Sequence, residues 1–167
     1  MEFAYIGLGS NLADPVAQVE AGVLALAALP QTRLVGRSRL FRSAPWGRLD
    51  QPEFINAVAM LETALSPRVL LDALLTIERA AGRERNGTHW GPRVLDLDVL
   101  VYGDRVVNES GLHVPHPHLA ERAFVLMPLA EIAPELHIAG FGAVKALLAR
   151  IDTLACLPLE PEPALNR

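Results

Sequence analysis

The stretch WGPRVLDLDVLVYG, residues 90 to 103, places Asp96 and Asp98 in a run that is otherwise mostly apolar. Successive side chains of a β-strand point to opposite faces of a sheet, so a strand here would carry both carboxylates on one face, with Leu100 and Tyr102. A helix would turn the carboxylates about 200° apart. Four apolar side chains would anchor the other face in a core: Leu95, Leu97, Val99 and Val101. The stretch therefore predicts a strand with two carboxylates on one face.

The elements before this strand predict an α+β fold. Three stretches read as strands: residues 3 to 8, 32 to 45 and 53 to 63. A capping residue followed by a proline indicates the start of two helices, at Asp14-Pro15 and at Ser66-Pro67. The resulting order is strand, helix, strand, strand, helix, strand. This order is typical of a ferredoxin-like α/β sandwich, an antiparallel sheet with helices packed on one face.

The C-terminal third predicts an extension of this core. Residues 106 to 119 read as short extended pieces and loops, and residues 120 to 134 contain a helix that we expect to end near Pro128. Residues 143 to 151 predict a short last helix. We expect a single domain over residues 1 to 157 and a loose tail over residues 158 to 167, which is rich in proline.

Composition and charge argue against several classes of protein. The 167 residues are 51% hydrophobic and 20% charged, which is typical of a packed globular protein. The formal net charge of -4 argues against nucleic-acid binding, which needs a basic surface. No apolar run approaches the ~18 residues of a membrane span and the start MEFAYIG is acidic, so we expect a cytoplasmic protein without a membrane partner. The single Cys156 predicts a buried or idle thiol.

The carboxylate pair has two interpretations. Two carboxylates ~6 Å apart repel each other by ~2 to 3 kcal/mol at an effective dielectric near 20, so they are either solvated or hold a hard cation. The loop of residues 82 to 93 supplies four basic side chains against one acid: Arg83, Arg85, His89 and Arg93. Guanidinium groups suit phosphate oxygens. A basic loop that ends at paired carboxylates favours a site for Mg²⁺ and a polyphosphate.

Three histidines follow the carboxylate strand. His113, His116 and His118 are spaced like possible zinc ligands, but no cysteine assists them and the intervening prolines restrict their convergence. Phosphate or nucleotide contacts by His116 and Arg122 are the more economical interpretation.

A site for a flat ring is indicated by Phe54 and Asn56, which lie two residues apart on a predicted strand. An aromatic face and an amide would then lie side by side, able to stack on a heterocycle and to hydrogen-bond with it. Core packing is the alternative for Phe54, but a buried Asn56 would need a polar partner.

The segment GLGSNL, residues 7 to 12, begins like a dinucleotide-binding fingerprint. Leu12 occupies the position of the third glycine and the following helix starts late, so a Rossmann site is not expected. A structural turn accounts for the segment.

Four blocks occur in order along the chain: YIGLGSNL (residues 5 to 12), DQPEFINAV (50 to 58), GRERNGTHWGPRVLDLDVLVYG (82 to 103) and VPHPHLAERAFVLMPLAEIAP (114 to 134). Together they resemble the 6-hydroxymethyl-7,8-dihydropterin pyrophosphokinases of folate biosynthesis. The resemblance implies a ferredoxin-like α+β domain. It also implies transfer of the β,γ-diphosphate of ATP to the pterin hydroxymethyl group, with release of AMP.

The resemblance further implies which residues surround ATP. Asp96 and Asp98 would hold two Mg²⁺ ions, while Arg83 and Arg93 would brace the transferring phosphates. Other positions that match the ATP side of the family are Glu78, Arg85, Trp90, Val99, His113, His116, Pro117 and Arg122. Some family members carry Arg and Thr where this chain has Gly111 and His113, which leaves open what this loop contributes.

On the pterin side, the resemblance implies that Phe54 and Phe124 sandwich the ring. Asn56 and groups around three further residues would read its edge: Ser43, Ala44 and Trp46. The loops at residues 44 to 52 and 83 to 93 are candidates for lids, because closing them would exclude water from the diphosphate. Both substrates are small molecules, and a monomer is expected.

Other functions stay open at this point. One is a different magnesium-dependent kinase or nucleotidyltransferase with the same metal pair, and another is an inactive relative. A ferredoxin-like RNA-binding module would stack bases on sheet aromatics, but the net negative charge and the 5% aromatic content argue against it. No general base for the substrate hydroxyl is evident, and metal coordination can lower the pKa of that hydroxyl instead.

Overall fold

A computed structural model describes residues 1–44, 51–82 and 94–159. Its core elements are β1 (Glu2–Ser10), α1 (Pro15–Ala27), β2 (Thr32–Arg37), β3 (Phe41–Ser43), β4 (Phe54–Thr63), α2 (Pro67–Ala80) and β5 (Asp96–Tyr102). The extension consists of β6 (Val107–Glu109), β7 (Leu112–Val114), a 3-10 turn (Leu119–Glu121), α3 (Ala123–Ile132), β8 (His137–Ile138), β9 (Gly142–Ala143), α4 (Val144–Leu148) and β10 (Cys156–Pro158). The chain thus forms a mixed α/β structure.

The main sheet has the strand order β10-β3-β4-β1-β5, with β2 also paired to β4. All of these pairings are antiparallel. β1 lies between β4 and β5, where Gly9 is opposite Asn56 on one side and Asp96 on the other. Two strands that are remote in sequence, β4 and β5, are therefore brought together by β1.

The single strand predicted over residues 32 to 45 is divided into β2 and β3. Ser38, between them, is buried, and its Oγ accepts a hydrogen bond from the Val58 N–H at 2.9 Å. The Ser38 N–H donates to the Val58 carbonyl oxygen, also at 2.9 Å. Because a side-chain oxygen replaces a main-chain acceptor here, the regular ladder is interrupted and the chain can bend.

Both predicted helix starts are confirmed. The Asp14 carboxylate accepts from the Ala17 N–H at 3.4 Å, and the Ser66 hydroxyl accepts from the Val69 N–H at 3.3 Å. In each helix the residue after the cap is proline, whose missing N–H costs nothing in the first turn.

Helices α1 and α2 pack on one face of the sheet. Their buried apolar residues share a core with Ala4, Ile6 and Leu8 of β1: Val19, Val23, Leu26, Leu70 and Leu74. Burying each large aliphatic side chain stabilises the fold by roughly 1.5 to 3 kcal/mol. Packing against α1 and α2 explains why every second residue of β1 from Ala4 to Leu8 is apolar and buried.

Helices α3 and α4 cover the opposite face. Leu126 and Leu129 of α3 belong to a second core with Tyr5 and Leu100. The expected helix end near Pro128 is wrong, because α3 continues to Ile132 with the proline buried inside it. Packing of the fully buried Leu126 and Leu129 offsets the missing hydrogen bond. No helix among the described residues has the length and apolar character needed to cross a membrane.

The C-terminal strand β10 pairs with β3, and the Leu159 N–H donates to the Leu40 carbonyl oxygen at 2.9 Å. Cys156 is buried in this strand, as expected, and its burial raises the pKa of the thiol to about 11. Residues 160–167 of the predicted tail lie outside the described residues. The domain boundary at residue 157 stays a prediction.

Candidate active site

The predicted carboxylate strand is confirmed as β5. Asp96 and Asp98 are partly exposed on one face, while Leu97 and Val99 are buried in the core with α1 and α2. The predicted alternation holds through Leu100, which lies on the face of Asp96 and Asp98, and it is wrong beyond that residue. A register shift against β1 places Val101 in the core with α3, and Tyr102 in the core with α1 and α2. A bulge of this kind reverses the faces of the residues that follow it.

One cavity, with a volume of about 90 Å³, collects predicted residues from both sides of the site. Eight of them line it: Ser43, Ala44, Phe54, Asn56, Asp96, Asp98, Arg122 and Phe124. They come from β4, β5, the start of α3 and the end of β3. The carboxylates predicted to bind metal and the aromatic and amide groups predicted to bind a flat ring therefore share one opening.

Gly7 and Gly9 form part of the cavity wall. The turn expected over residues 7 to 12 is wrong at its start, because β1 runs through to Ser10 and is paired on both sides. A Cβ atom at Gly9 would lie 3.0 Å from Asn56 Oδ1 and 3.8 Å from Phe54 Cδ1. Glycine therefore leaves space next to these side chains, a role that sequence reasoning missed. The spacing of Gly7 and Gly9, two residues apart and so on one face of a strand, could have indicated this role.

Asn56 has the polar partner that its burial requires. The Asn56 Nδ2 donates to Ser43 Oγ at 2.8 Å, and both residues are 5% exposed. Phe54 and Phe124 are partly exposed at the cavity, and the Arg122 guanidinium lies 5.6 Å from the centre of the Phe124 ring. The cavity thus combines aromatic faces, an oriented amide and a cation.

Glu78 is buried, at 2% exposure, and its Oε2 accepts from the Leu97 N–H at 2.8 Å. Leu97 lies between the two aspartates on β5, which is the last strand in the order of the main sheet. An edge strand has outward N–H groups that need acceptors. The Glu78 carboxylate, from α2, therefore fixes the backbone that carries Asp96 and Asp98.

Arg122 and His116 adjoin the carboxylates. Burial lowers the pKa of the Arg122 guanidinium, and Asp98 and Asp96 oppose that shift. Burial, with Arg122 and His118, lowers the pKa of His116 to about 4, against the opposing effect of Asp96. The His116 imidazole is therefore neutral at pH 7, and its Nδ1 accepts from the His118 N–H at 3.1 Å.

The structure describes some of the remaining predicted site residues but not others. Val99 is buried, whereas His113 and Pro117 are exposed outside the cavity lining. Within the described ranges, no three histidine, cysteine or acidic residues are grouped as a metal site. Five predicted site residues lie outside the described residues: Trp46, Arg83, Arg85, Trp90 and Arg93. Most of the two predicted closing loops lies outside them too.

We expect His116 to make folding stability depend on pH. Its pKa in the folded protein is lowered from 6.5 to about 4, so the unfolded chain binds more protons between these two values. This contribution to stability is complete above pH 6.5 and is lost as the pH falls towards 4. Urea unfolding across this range should show a weaker pH dependence for His116→Asn than for the wild type. Identical pH profiles would contradict the assignment.

Comparison with known proteins gives a consistent result. The family model for 7,8-dihydro-6-hydroxymethylpterin-pyrophosphokinase (HPPK) matches residues 5–134. A 2-amino-4-hydroxy-6-hydroxymethyldihydropteridine pyrophosphokinase of Methylorubrum extorquens is 49% identical over 152 residues, which cover 91% of this chain and 95% of that protein. A protein of the same name from Pseudomonas aeruginosa is 50% identical over 145 residues, covering 87% of this chain and 89% of that one.

Solved structures agree on the fold. The wild-type HPPK-DHPS protein of Plasmodium falciparum, crystallised with pteroate, superposes with a TM-score of 0.71 at 13% identity. The match covers 89% of this chain but 42% of that longer one. At this identity the likeness concerns the fold, while the family assignment rests on the sequence matches. The chain belongs to the 7,8-dihydro-6-hydroxymethylpterin-pyrophosphokinase family.

Proposed function

We propose that the protein transfers the β,γ-diphosphate of ATP to the hydroxymethyl group of 6-hydroxymethyl-7,8-dihydropterin, giving the pterin diphosphate and AMP, as a step of folate biosynthesis. The observation that carries this proposal is the cavity that Asp96 and Asp98 share with an aromatic and amide pocket. Metal-bound phosphates and a flat heterocycle would meet there. Membership of the family supports the same reaction, with ATP as co-substrate.

Asp96 and Asp98 would hold two Mg²⁺ ions. The donor set fits, because both carboxylates lie on one strand face and line a cavity with room for other ligands. Mg²⁺ prefers one or two carboxylates together with water and phosphate oxygens. When bound, the ions would supply Lewis-acid stabilisation of the phosphate charge and a lower pKa for the acceptor hydroxyl.

Arg122 would add positive charge from the cavity wall. It is 8% exposed and interacts electrostatically with both aspartates. Attack at the β-phosphorus displaces AMP, so negative charge grows on the leaving oxygen and on the transferred group. A fixed buried cation stabilises such charge without reorganising. Arg83 and Arg93 are proposed to do the same directly at the phosphates, with Arg85 and Trp90 also on the ATP side.

Phe54 and Phe124 are proposed to hold the pterin ring between them. Both line the cavity, and their rings are open to it rather than sealed in the core. Asn56 would hydrogen-bond the ring edge, as would groups around three neighbouring residues: Ser43, Ala44 and Trp46. Stacking sets the plane of the ring, and the polar groups set its rotation within that plane.

The nucleotide would lie on the other side of the carboxylates. His116 is proposed to contact it as a neutral imidazole, with the exposed His113 and Pro117 from the same segment. Glu78 and Val99 are both buried, so we assign them an indirect part in which they hold β5 in place.

Three further proposals concern the protein as a whole. The strand order of the core and the position of α1 and α2 on one face support a ferredoxin-like description, with α3 and α4 as an extension. We propose that the protein is cytoplasmic and acts as a monomer on its two small-molecule substrates. Its net charge of -4 offers no general attraction for nucleic acid.

Product analysis tests the proposed reaction against its alternatives. The protein is incubated with ATP, Mg²⁺ and 6-hydroxymethyl-7,8-dihydropterin, and the nucleotides are separated. AMP that appears only in the presence of the pterin supports diphosphate transfer. ADP would indicate an ordinary kinase, free pyrophosphate a nucleotidyltransferase, and unchanged ATP an inactive relative.

Phe124→Ala is expected to raise the KM for the pterin by about ten- to a hundredfold, since a buried aromatic contact is worth roughly 1.5 to 3 kcal/mol. The KM for ATP should change far less. Phe3→Ala is the matched control, because Phe3 is 46% exposed and lies outside the cavity. Steady-state kinetics with each substrate varied in turn provide the measurement. A larger change in the ATP KM than in the pterin KM would show that Phe124 had been misplaced.

A further inference from the structure

The carboxamide of Asn56 is held at one end by Ser43. Its Nδ2 donates to the Ser43 hydroxyl at 2.8 Å, and both side chains are buried next to the cavity. Ser43 is on β3, and the pairing of β3 with β4 places it beside Phe54. Because one N–H of Nδ2 donates to Ser43, the orientation of the amide is set, and Oδ1 and the second N–H are the groups left for a ligand.

The other end of the carboxamide lies over Gly9. A Cβ atom at this position would lie 3.0 Å from Asn56 Oδ1, a contact tight enough that the oxygen would have to shift by a few tenths of an ångström. Gly9 is directly opposite Asn56 in the pairing of β1 with β4. Because glycine has no Cβ, Asn56 Oδ1 can occupy this position beside the cavity. The contrast with Gly7 is clear, since a Cβ there would be 3.4 Å from Leu100 side-chain atoms, an ordinary contact.

We propose that Ser43 and Gly9 are positioning residues that fix which end of the Asn56 carboxamide faces the ligand. With Oδ1 presented, the pocket accepts a hydrogen bond and so selects a ring edge that carries an N–H donor. A reversed amide would present two N–H groups to that edge and repel it. The inference rests on the proposed pterin site and adds the device that sets its hydrogen-bonding polarity.

The test measures binding of 6-hydroxymethyl-7,8-dihydropterin by calorimetry, with Mg²⁺ and a non-hydrolysable ATP analogue present. Ser43→Ala should weaken pterin binding about five- to tenfold, the range for one neutral hydrogen bond. Ser43→Thr keeps the hydroxyl and should restore binding to within about twofold of the wild type. Gly9→Ala should weaken pterin binding more than its control Gly36→Ala, because Gly36 lies on β2 outside the cavity and an added Cβ there would be 3.9 Å from Met60 Cβ. Binding of the ATP analogue and urea unfolding report any general damage.

The Asn56→Asp background separates orientation from simple packing. A carboxylate has an oxygen at both ends, so its orientation no longer matters. Adding Ser43→Ala in that background should weaken pterin binding by less than about twofold. An equal loss in both backgrounds, or no loss from Ser43→Ala alone, would overturn the proposal. If the wild type binds the pterin but releases no AMP, the proposed reaction fails while the orientation test still stands; if it does not bind the pterin, both fail.

Discussion

Asp96→Ala and Asp98→Ala should each reduce turnover by about a thousandfold, the scale found when a group that stabilises transition-state charge is removed. Each carboxylate lines the cavity and shares its strand face with the other. Losing either would remove an oxygen ligand from the proposed Mg²⁺ site. Release of AMP at saturating ATP and pterin measures the effect.

The fold should survive these two substitutions. Removing one carboxylate relieves a repulsion of ~2 to 3 kcal/mol at ~6 Å and an effective dielectric near 20. It also weakens the attraction to the buried Arg122, so urea unfolding should show little net change in stability. Asp104→Ala is the matched control, because Asp104 is exposed two residues beyond β5 and outside the cavity. Near-normal AMP release by either aspartate variant in Mg²⁺ would remove the basis for the metal assignment.

Glu78→Ala is expected to have the largest effect on stability among the site residues. It would leave the Leu97 N–H without its acceptor in a buried position, at a cost of about 1 to 3 kcal/mol in the free energy of unfolding. Turnover should fall as well, because the backbone between the two aspartates loses its support. Urea unfolding and the Mg²⁺ dependence of turnover provide the two measurements.

Two further variants separate this role from others. Glu78→Gln retains an oxygen acceptor and should lose less stability than Glu78→Ala. Asp72→Ala, at an exposed position of α2, controls for changes to the helix itself. If Glu78→Ala unfolds at the wild-type urea concentration, the hydrogen bond to Leu97 contributes little. The positioning role would then be wrong.

Local patterns predicted much of the fold. The helix starts at Asp14 and Ser66 depend on side-chain acceptors next to proline, and such signals act within four residues. The carboxylate strand could be predicted because its alternation is local as well. The family resemblance predicted which residues form the site. In the structure, Phe54, Asn56 and Phe124 line the same cavity as the two aspartates.

Features that depend on strand pairing could not be predicted. The bulge beyond Val99 follows from the register of β1 against β5, and the break at Ser38 follows from its bonds to Val58. The sequence around Gly9 suggests a turn, but in the structure β4 pairs with β1 on one side of this residue and β5 pairs on the other. α3 passes Pro128 because tertiary packing outweighs a local preference.

Diphosphate transfer can be tested on the pterin product that the wild type forms from ATP and Mg²⁺, by its phosphorus NMR spectrum and its mass. We predict a pterin that carries two linked phosphorus atoms on its hydroxymethyl oxygen, formed in equal amount to AMP. The same product should be absent with Asp98→Ala on the same time scale. A pterin with a single phosphate, or one joined to the nucleotide, would contradict diphosphate transfer at this site.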